Sequence, residues 1–201
     1  NVIMSDGNIE KFSMLSSSDS FSIRKYTPNP NAGNNYSEEL ISAKLGHSST
    51  VSGGATLTLE RGADFEVVNS GTILTFDTGG LVINTDMDNS TKFTVGDGAG
   101  IEFKEGATLT INLIIEENTP AGLSDFYKTI FVMDWTNGSN VLGLDELVKD
   151  ETLFFSVNGE KFSGDWDFFV ENNQFAIAMG TVPEPAACAA VFGLFALAFS
   201  A

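Results

Sequence analysis

Carboxylates are the only abundant groups in this chain that could cut a bond or hold an ion. Asp77, Asp86, Asp88 and Asp97 fall within one stretch, and Glu116-Glu117 and Asp165 with Asp167 make two close pairs further on. Clustered carboxylates of this kind serve glycoside cleavage or calcium binding. Asp86-Met87-Asp88-Asn89-Ser90 opens like a calcium loop but lacks the glycine and closing glutamate that such a loop requires. Gly96-Asp97-Gly98-Ala99-Gly100 falls short of the glycine-rich calcium nonapeptide in the same way. Both are read as turns, and no metal site or cofactor is assigned. The single histidine, His47, has no second histidine to complete a zinc site and no G-x-S-x-G elbow to serve, so it is read as an exposed loop residue. The single cysteine, Cys188, excludes a disulfide framework and a thiolate metal cluster. Catalysis is the minority reading, because the central repeat carries no long aromatic-lined insertion in which a polymer could be gripped.

Charge narrows the partners further. Twenty-seven acidic against 10 basic residues give a formal charge of −17, which repels the phosphates of nucleic acid and excludes it as a partner. Such a surface keeps a protein in solution. The apolar stock is heavy in Phe, with 17 against 3 Tyr and 2 Trp, and 201 residues suffice to bury a sizeable core.

The elements that must position these groups are set by a repeat. With Gly54, Gly62, Gly71, Gly80, Ser90, Gly98 and Gly106 as position zero, successive units are 8, 9, 9, 10, 8 and 8 residues apart. The third residue after each is Leu57, Phe65, Leu74, Ile83, Phe93, Ile101 and Leu109. The fifth is Leu59, Val67, Phe76, Thr85, Val95, Phe103 and Ile111, with Thr85 the one polar exception. Polar residues alternate between them, so each unit is a short strand with one buried and one wet face. Two architectures keep such a register: a parallel β-solenoid, in which equivalent residues stack from one turn of the chain to the next, and an antiparallel β-sandwich of hairpin-linked strands. Uniform in-register positions and the lack of consistent Asn-Gly or Asp-Gly links favour the solenoid, over residues 50–111. Residues 1–49 read as an irregular segment leading into it, with the repeat expected to continue upstream of Asn1 in an intact protein.

From Asn112 the apolar residues come in longer bursts, at 113–115, 128–133, 153–157, 167–170 and 174–178. Asn158-Gly159 is a strong type I′ hairpin signal, Asn172-Asn173 a weaker one, and Leu142 to Val148 has the composition for one or two helical turns. Residues 112–181 are therefore expected to form a β-rich module that caps the open end of the repeat.

The last segment, 182–201, is of a different nature. Val182-Pro183-Glu184-Pro185 is extended and helix-breaking, because Pro lacks the amide donor and restricts the residue before it. The sixteen residues from Ala186 to Ala201 carry no charge. As a helix they would run about 24 Å, short of the roughly 20 residues that cross a bilayer core. Ala186, Val191, Phe192, Leu194, Phe195, Leu197 and Phe199 leave no polar face to turn to water, which favours lipid over burial as a C-terminal core helix.

This arrangement resembles the PEP-CTERM sorting signal, a C-terminal tag of exported proteins in many Gram-negative bacteria. The resemblance rests on Pro183, Glu184 and Pro185 and the apolar run behind them, about a tenth of the chain. It implies export, transient membrane anchoring, recognition at Val182 to Pro185 by an exosortase (a membrane protease and transpeptidase), and removal of the apolar segment. The arginine cluster that closes the tag in that family is missing, as is an initiator Met, and a piece cut at both ends is expected. Gly-punctuated β repeats, a Phe-rich closing module and this tail together resemble β-helical, autotransporter-passenger-like surface proteins. The function expected is that of an exported, non-enzymatic structural or adhesive surface protein, with extracellular polysaccharide as a further partner. A secreted carbohydrate-active β-helix enzyme or glycan-binding adhesin is the alternative.

Overall fold

A computed structural model describes residues 2–5, 8–16, 20–23, 42–115 and 128–179. Over these residues the fold is all-β with one short helix. Its strands are β1 (Val2–Ser5), β2 (Asn8–Met14), β3 (Ser20–Ile23), β4 (Ser42–Leu45), β5 (Ser49–Ser52), β6 (Thr56–Leu59), β7 (Asp64–Val67), β8 (Ile73–Asp77) and β9 (Gly80–Thr85). They continue as β10 (Lys92–Val95), β11 (Gly100–Phe103), β12 (Thr108–Leu113), β13 (Lys128–Trp135) and β14 (Asn140–Leu142). After helix α1 (Leu144–Lys149) come β15 (Leu153–Val157), β16 (Glu160–Lys161), β17 (Trp166–Glu171) and β18 (Gln174–Met179). The stretch read as irregular, 1–49, thus carries four strands; β1 pairs with β2 within it, and β2, β3 and β4 are held by ladder partners further along the chain, which its Ser-rich composition does not reveal.

Consecutive strands of the repeat do not form hairpins. Each strand from β2 to β12 pairs in parallel with the strand three places on, giving the stacks β4-β7-β10-β13, β2-β5-β8-β11-β14 and β3-β6-β9-β12-β15. Register is kept residue for residue: Phe65 lies beside Phe93, Leu74 beside Ile101, and Leu57 beside Leu81 and then Leu109. Alternation explains what these strands bury. Every third and fifth residue after the repeat's reference positions is at most 3% exposed, and all three stacks feed one core cluster. Identical side chains meet as the strands stack: Phe76 lies on Phe103 with ring centroids 5.1 Å apart and 12° between planes, and Phe65 on Phe93 at 5.3 Å. Such ring pairs add to the free energy of burial itself.

A short turn separates the strands. Ala63 donates its N–H to the Glu60 carbonyl, Ala99 to Gly96, and Ala107 to Lys104, and the glycine before each alanine has φ of 80°, 69° and 79°. A positive φ at the third position of a four-residue turn is a glycine requirement, and the alanine that follows fits the crowded corner, fully buried. Two reference positions depart from the sequence reading. Gly80 lies inside β9, and the corner before it is turned by Thr78 at φ 61°; Ser90 follows Asn89, which turns the next at φ 55°. Leu81 rather than Ile83 therefore aligns with Leu57. The slip is two residues, so the period-two alternation still sends Leu81, Ile83 and Thr85 inward.

Beyond residue 112 the parallel stacking continues through β13, β14 and β15, and antiparallel pairs then take over. β15 turns into β16 through Asn158 and Gly159, at φ 50° and 82°, and β17 into β18 through Asn172 and Asn173, at φ 51° and 60°. Two successive positive φ values are what a type I′ turn needs, as the sequence predicts. Helix α1 overlaps the stretch read as helical, starting two residues later and ending one residue beyond it, and buries Leu147. β18 pairs with β13, so the hairpin extends the first stack.

Candidate functional site

Among the described residues the carboxylates singled out by spacing do not converge. Asp77, Asp86 with Asp88, and Asp97 occupy three different corners of the chain, and Asp165 and Asp167 are exposed at the start of β17. Among the described residues no group of three His, Cys, Asp or Glu side chains is placed to hold a metal ion. Glu116 and Glu117 lie outside the described residues, as do Val182 to Pro185 and the apolar run from Ala186 through Val191, Phe192, Leu194, Phe195, Leu197 and Phe199. His47 is exposed, and its carbonyl accepts the Ser49 hydroxyl. No helix among the described residues is long and apolar enough to cross a membrane.

Asp86 illustrates why a calcium-like spacing makes a turn instead. Its carboxylate accepts the Ser90 hydroxyl at 2.7 Å and the amides of Ser90 and Asp88 at 3.1 Å each. Partial burial opposes its ionisation, but those three hydrogen bonds and the charge of Arg61 outweigh burial and hold the carboxyl below its ordinary value. A group depressed in this way contributes stability above its unfolded pKa of about 4 and loses it as pH falls through the folded value. The stability advantage of the native chain over Asp86→Asn should thus be full at pH 7 and shrink on acidification below about pH 4, followed by urea titration across pH. An advantage that grew toward acid would contradict the assigned hydrogen bonds.

The wet faces of the three stacks bond to themselves. On the first, Lys44 pairs with Glu66 at 2.8 Å and Thr94 donates to Asp134 at 2.9 Å. The hydrogen bond and charge of Glu66 raise the Lys44 pKa above its usual value. On the third stack a polar chain runs from strand to strand: Asn84 donates to Glu60 at 3.0 Å, Asn112 to Asn84 at 2.9 Å, and Ser156 to Asn112 at 3.0 Å. Side-chain amides at one register position stack as their backbones do, each satisfying the next. These groups stabilise the stacking, and none of them is left aimed at a ligand.

An apolar groove lies at the C-terminal end of the described residues. There Leu147 and Val148 of α1, Leu153, Phe154 and Phe155 of β15, and Trp166 and Phe168 of β17 line a groove of about 450 Å³, with Glu151 and Lys161 at its polar margin. Phe155 anchors its wall: Phe162 meets it edge-on at 5.3 Å and Trp166 at 5.6 Å. Among the described residues β16 pairs only with Ser156 and Val157, and no strand pairs with that edge of β15 at Leu153 to Phe155, where the groove lies. Phe154 is 43% exposed there. Sequence reading missed this site, although the density of Phe and Trp between residues 154 and 168 is a signal for it. Comparison with protein-family models, with curated proteins and with solved structures finds no match to the chain.

Proposed function

We propose that this chain is an exported, non-enzymatic structural or adhesive protein of a Gram-negative cell surface or matrix, wound as a parallel β-solenoid, ended by a β-rich module and sorted through Val182-Pro183-Glu184-Pro185. The observation that carries the reading is the unbroken rule that each strand from β2 to β12 pairs with the strand three places on, at constant register. A chain that winds in this way is stabilised by nearest-neighbour stacking, is lengthened by adding turns, and presents long self-satisfied faces, properties that suit a spacer or stalk. The acidic charge suits the exterior, where it keeps neighbouring stalks apart. The membrane exosortase acts on the Pro-Glu-Pro segment, and the apolar run behind it anchors the chain until it is cut. Glu184→Ala is expected to abolish processing in the native host, so that the intact mass retains residues 186–201; an unchanged mature mass would remove the sorting assignment.

A second reading, a glycan-binding adhesin or a carbohydrate-active β-helix enzyme, draws on the exposed Phe154 and on Trp166 in the terminal groove, since aromatic faces stack on sugar rings. Screening the full chain against extracellular polysaccharides separates the two: a passive stalk neither binds nor cleaves them.

A further inference from the structure

We propose that the aromatic groove at the C-terminal end is a cradle for the chain's own apolar segment, Ala186 to Ala201, sheltering it from water before it reaches the membrane. Position comes first. Met179, the last described residue, is the register partner of Trp166, and Trp166 lines the groove. Six residues separate Met179 from Ala186, and seven backbone steps at about 3.3 Å each carry the chain up to roughly 23 Å, enough to bring it back to Trp166.

Chemistry selects among the possible occupants. The groove presents Leu147, Leu153, Phe154, Trp166 and Phe168, with a single positive and a single negative side chain at its margin. The segment 186–201 carries no charge and offers Phe, Leu and Val side chains. A second copy of the chain would bring another −17 against the first. Residues 116–127, which precede β13, carry Glu116, Glu117 and Asp125, whose burial against aromatic rings costs free energy. An uncharged apolar segment tethered beside an uncovered apolar edge gains the most from contact, because the tether makes the encounter intramolecular.

The inference rests on the reading of 186–201 as a membrane-directed segment, but its test is separate from that of sorting. Cys188 is the only cysteine and lies in the segment, so it serves as a probe. In the full chain, without detergent, Phe154→Cys is oxidised with copper phenanthroline and oxygen. Thr58→Cys is the control, on the same outer face three ladder steps away, about 14 Å. Docking predicts an intrachain disulfide that forms at least about tenfold faster from position 154 than from position 58. Equal rates would overturn the proposal, and so would an interchain dimer, which would make a second copy the occupant. In a Trp135→Phe variant, where Trp166 is the sole tryptophan, a nitroxide on Cys188 should quench its emission; unchanged emission overturns the proposal without any change to the groove. Processing lost in Glu184→Ala with the disulfide intact supports both readings. A disulfide with processing unchanged by Glu184→Ala leaves the cradle standing and sinks sorting alone.

Discussion

Phe76→Ala should lower the free energy of unfolding by about 3–5 kcal/mol, the range for emptying a fully buried aromatic site. Phe76 is 0% exposed and sits between Val51 on one neighbouring strand and the stacked ring of Phe103 on the other. Backbone hydrogen bonds on both sides hold those strands at ladder spacing, so the walls cannot collapse into the space. The cavity and the lost ring contact therefore add to the lost burial. Ile73→Ala, on the same strand but 41% exposed, should cost under about 1 kcal/mol. Urea unfolding of both variants checks the pair. A Phe76→Ala loss below that of Ile73→Ala would mean that the stacks are not in the register described. Because stacked repeats hold together through nearest neighbours, a lesion in a central layer should also broaden the transition or split it in two, seen as a fall in m-value.

Gly143→Val is expected to cost about 3 kcal/mol or more, from two additive causes. Gly143 turns the chain from β14 into α1 at φ 83°, where a β-branched residue is strained. A Cβ at this position would also collide with the backbone carbonyl of Phe103, which cannot move because β11 is paired on both sides. Gly71 separates the two causes. It has the same φ of 83°, but a Cβ there meets nothing within 4 Å. Gly71→Val should therefore show the conformational cost alone, about 1–2 kcal/mol. The difference between the variants measures the clash. Gly143→Val should further loosen α1, whose Leu147 closes the core and lines the terminal groove. Equal losses at the two glycines would show that the Phe103 contact carries no weight.

The local elements were legible because each is decided by a few adjacent residues. Alternation over Leu57 to Leu59 or Phe93 to Val95 requires one buried face whatever lies opposite, and the structure buries that face in all seven units. Asn158-Gly159 and Asn172-Asn173 make hairpins because these residues accept positive φ at low cost, and Leu144 to Lys149 becomes a helix with two acidic residues in its first turn and Lys149 in its last. The Pro-Glu-Pro segment and the uncharged run after it are likewise sequence properties, and they carry the proposed sorting role unaided.

Pairing and corner identity were decided only in three dimensions. A corner needs a left-handed residue, and glycine is merely its usual occupant. Thr78 fills one because its hydroxyl accepts the Gly53 N–H and its carbonyl accepts that of Gly54, contacts from the turn after β5 that no local pattern records. Leu109 finds Leu153 across 44 residues, and Ile101 finds Val141 across 40, because core columns continue wherever the chain returns. The terminal groove is of the same kind. Its lining comes from α1, β15 and β17, three elements that the sequence foretold singly; β15 and β17 are placed by the ladders they join, and α1 by Leu147 packing into the shared core.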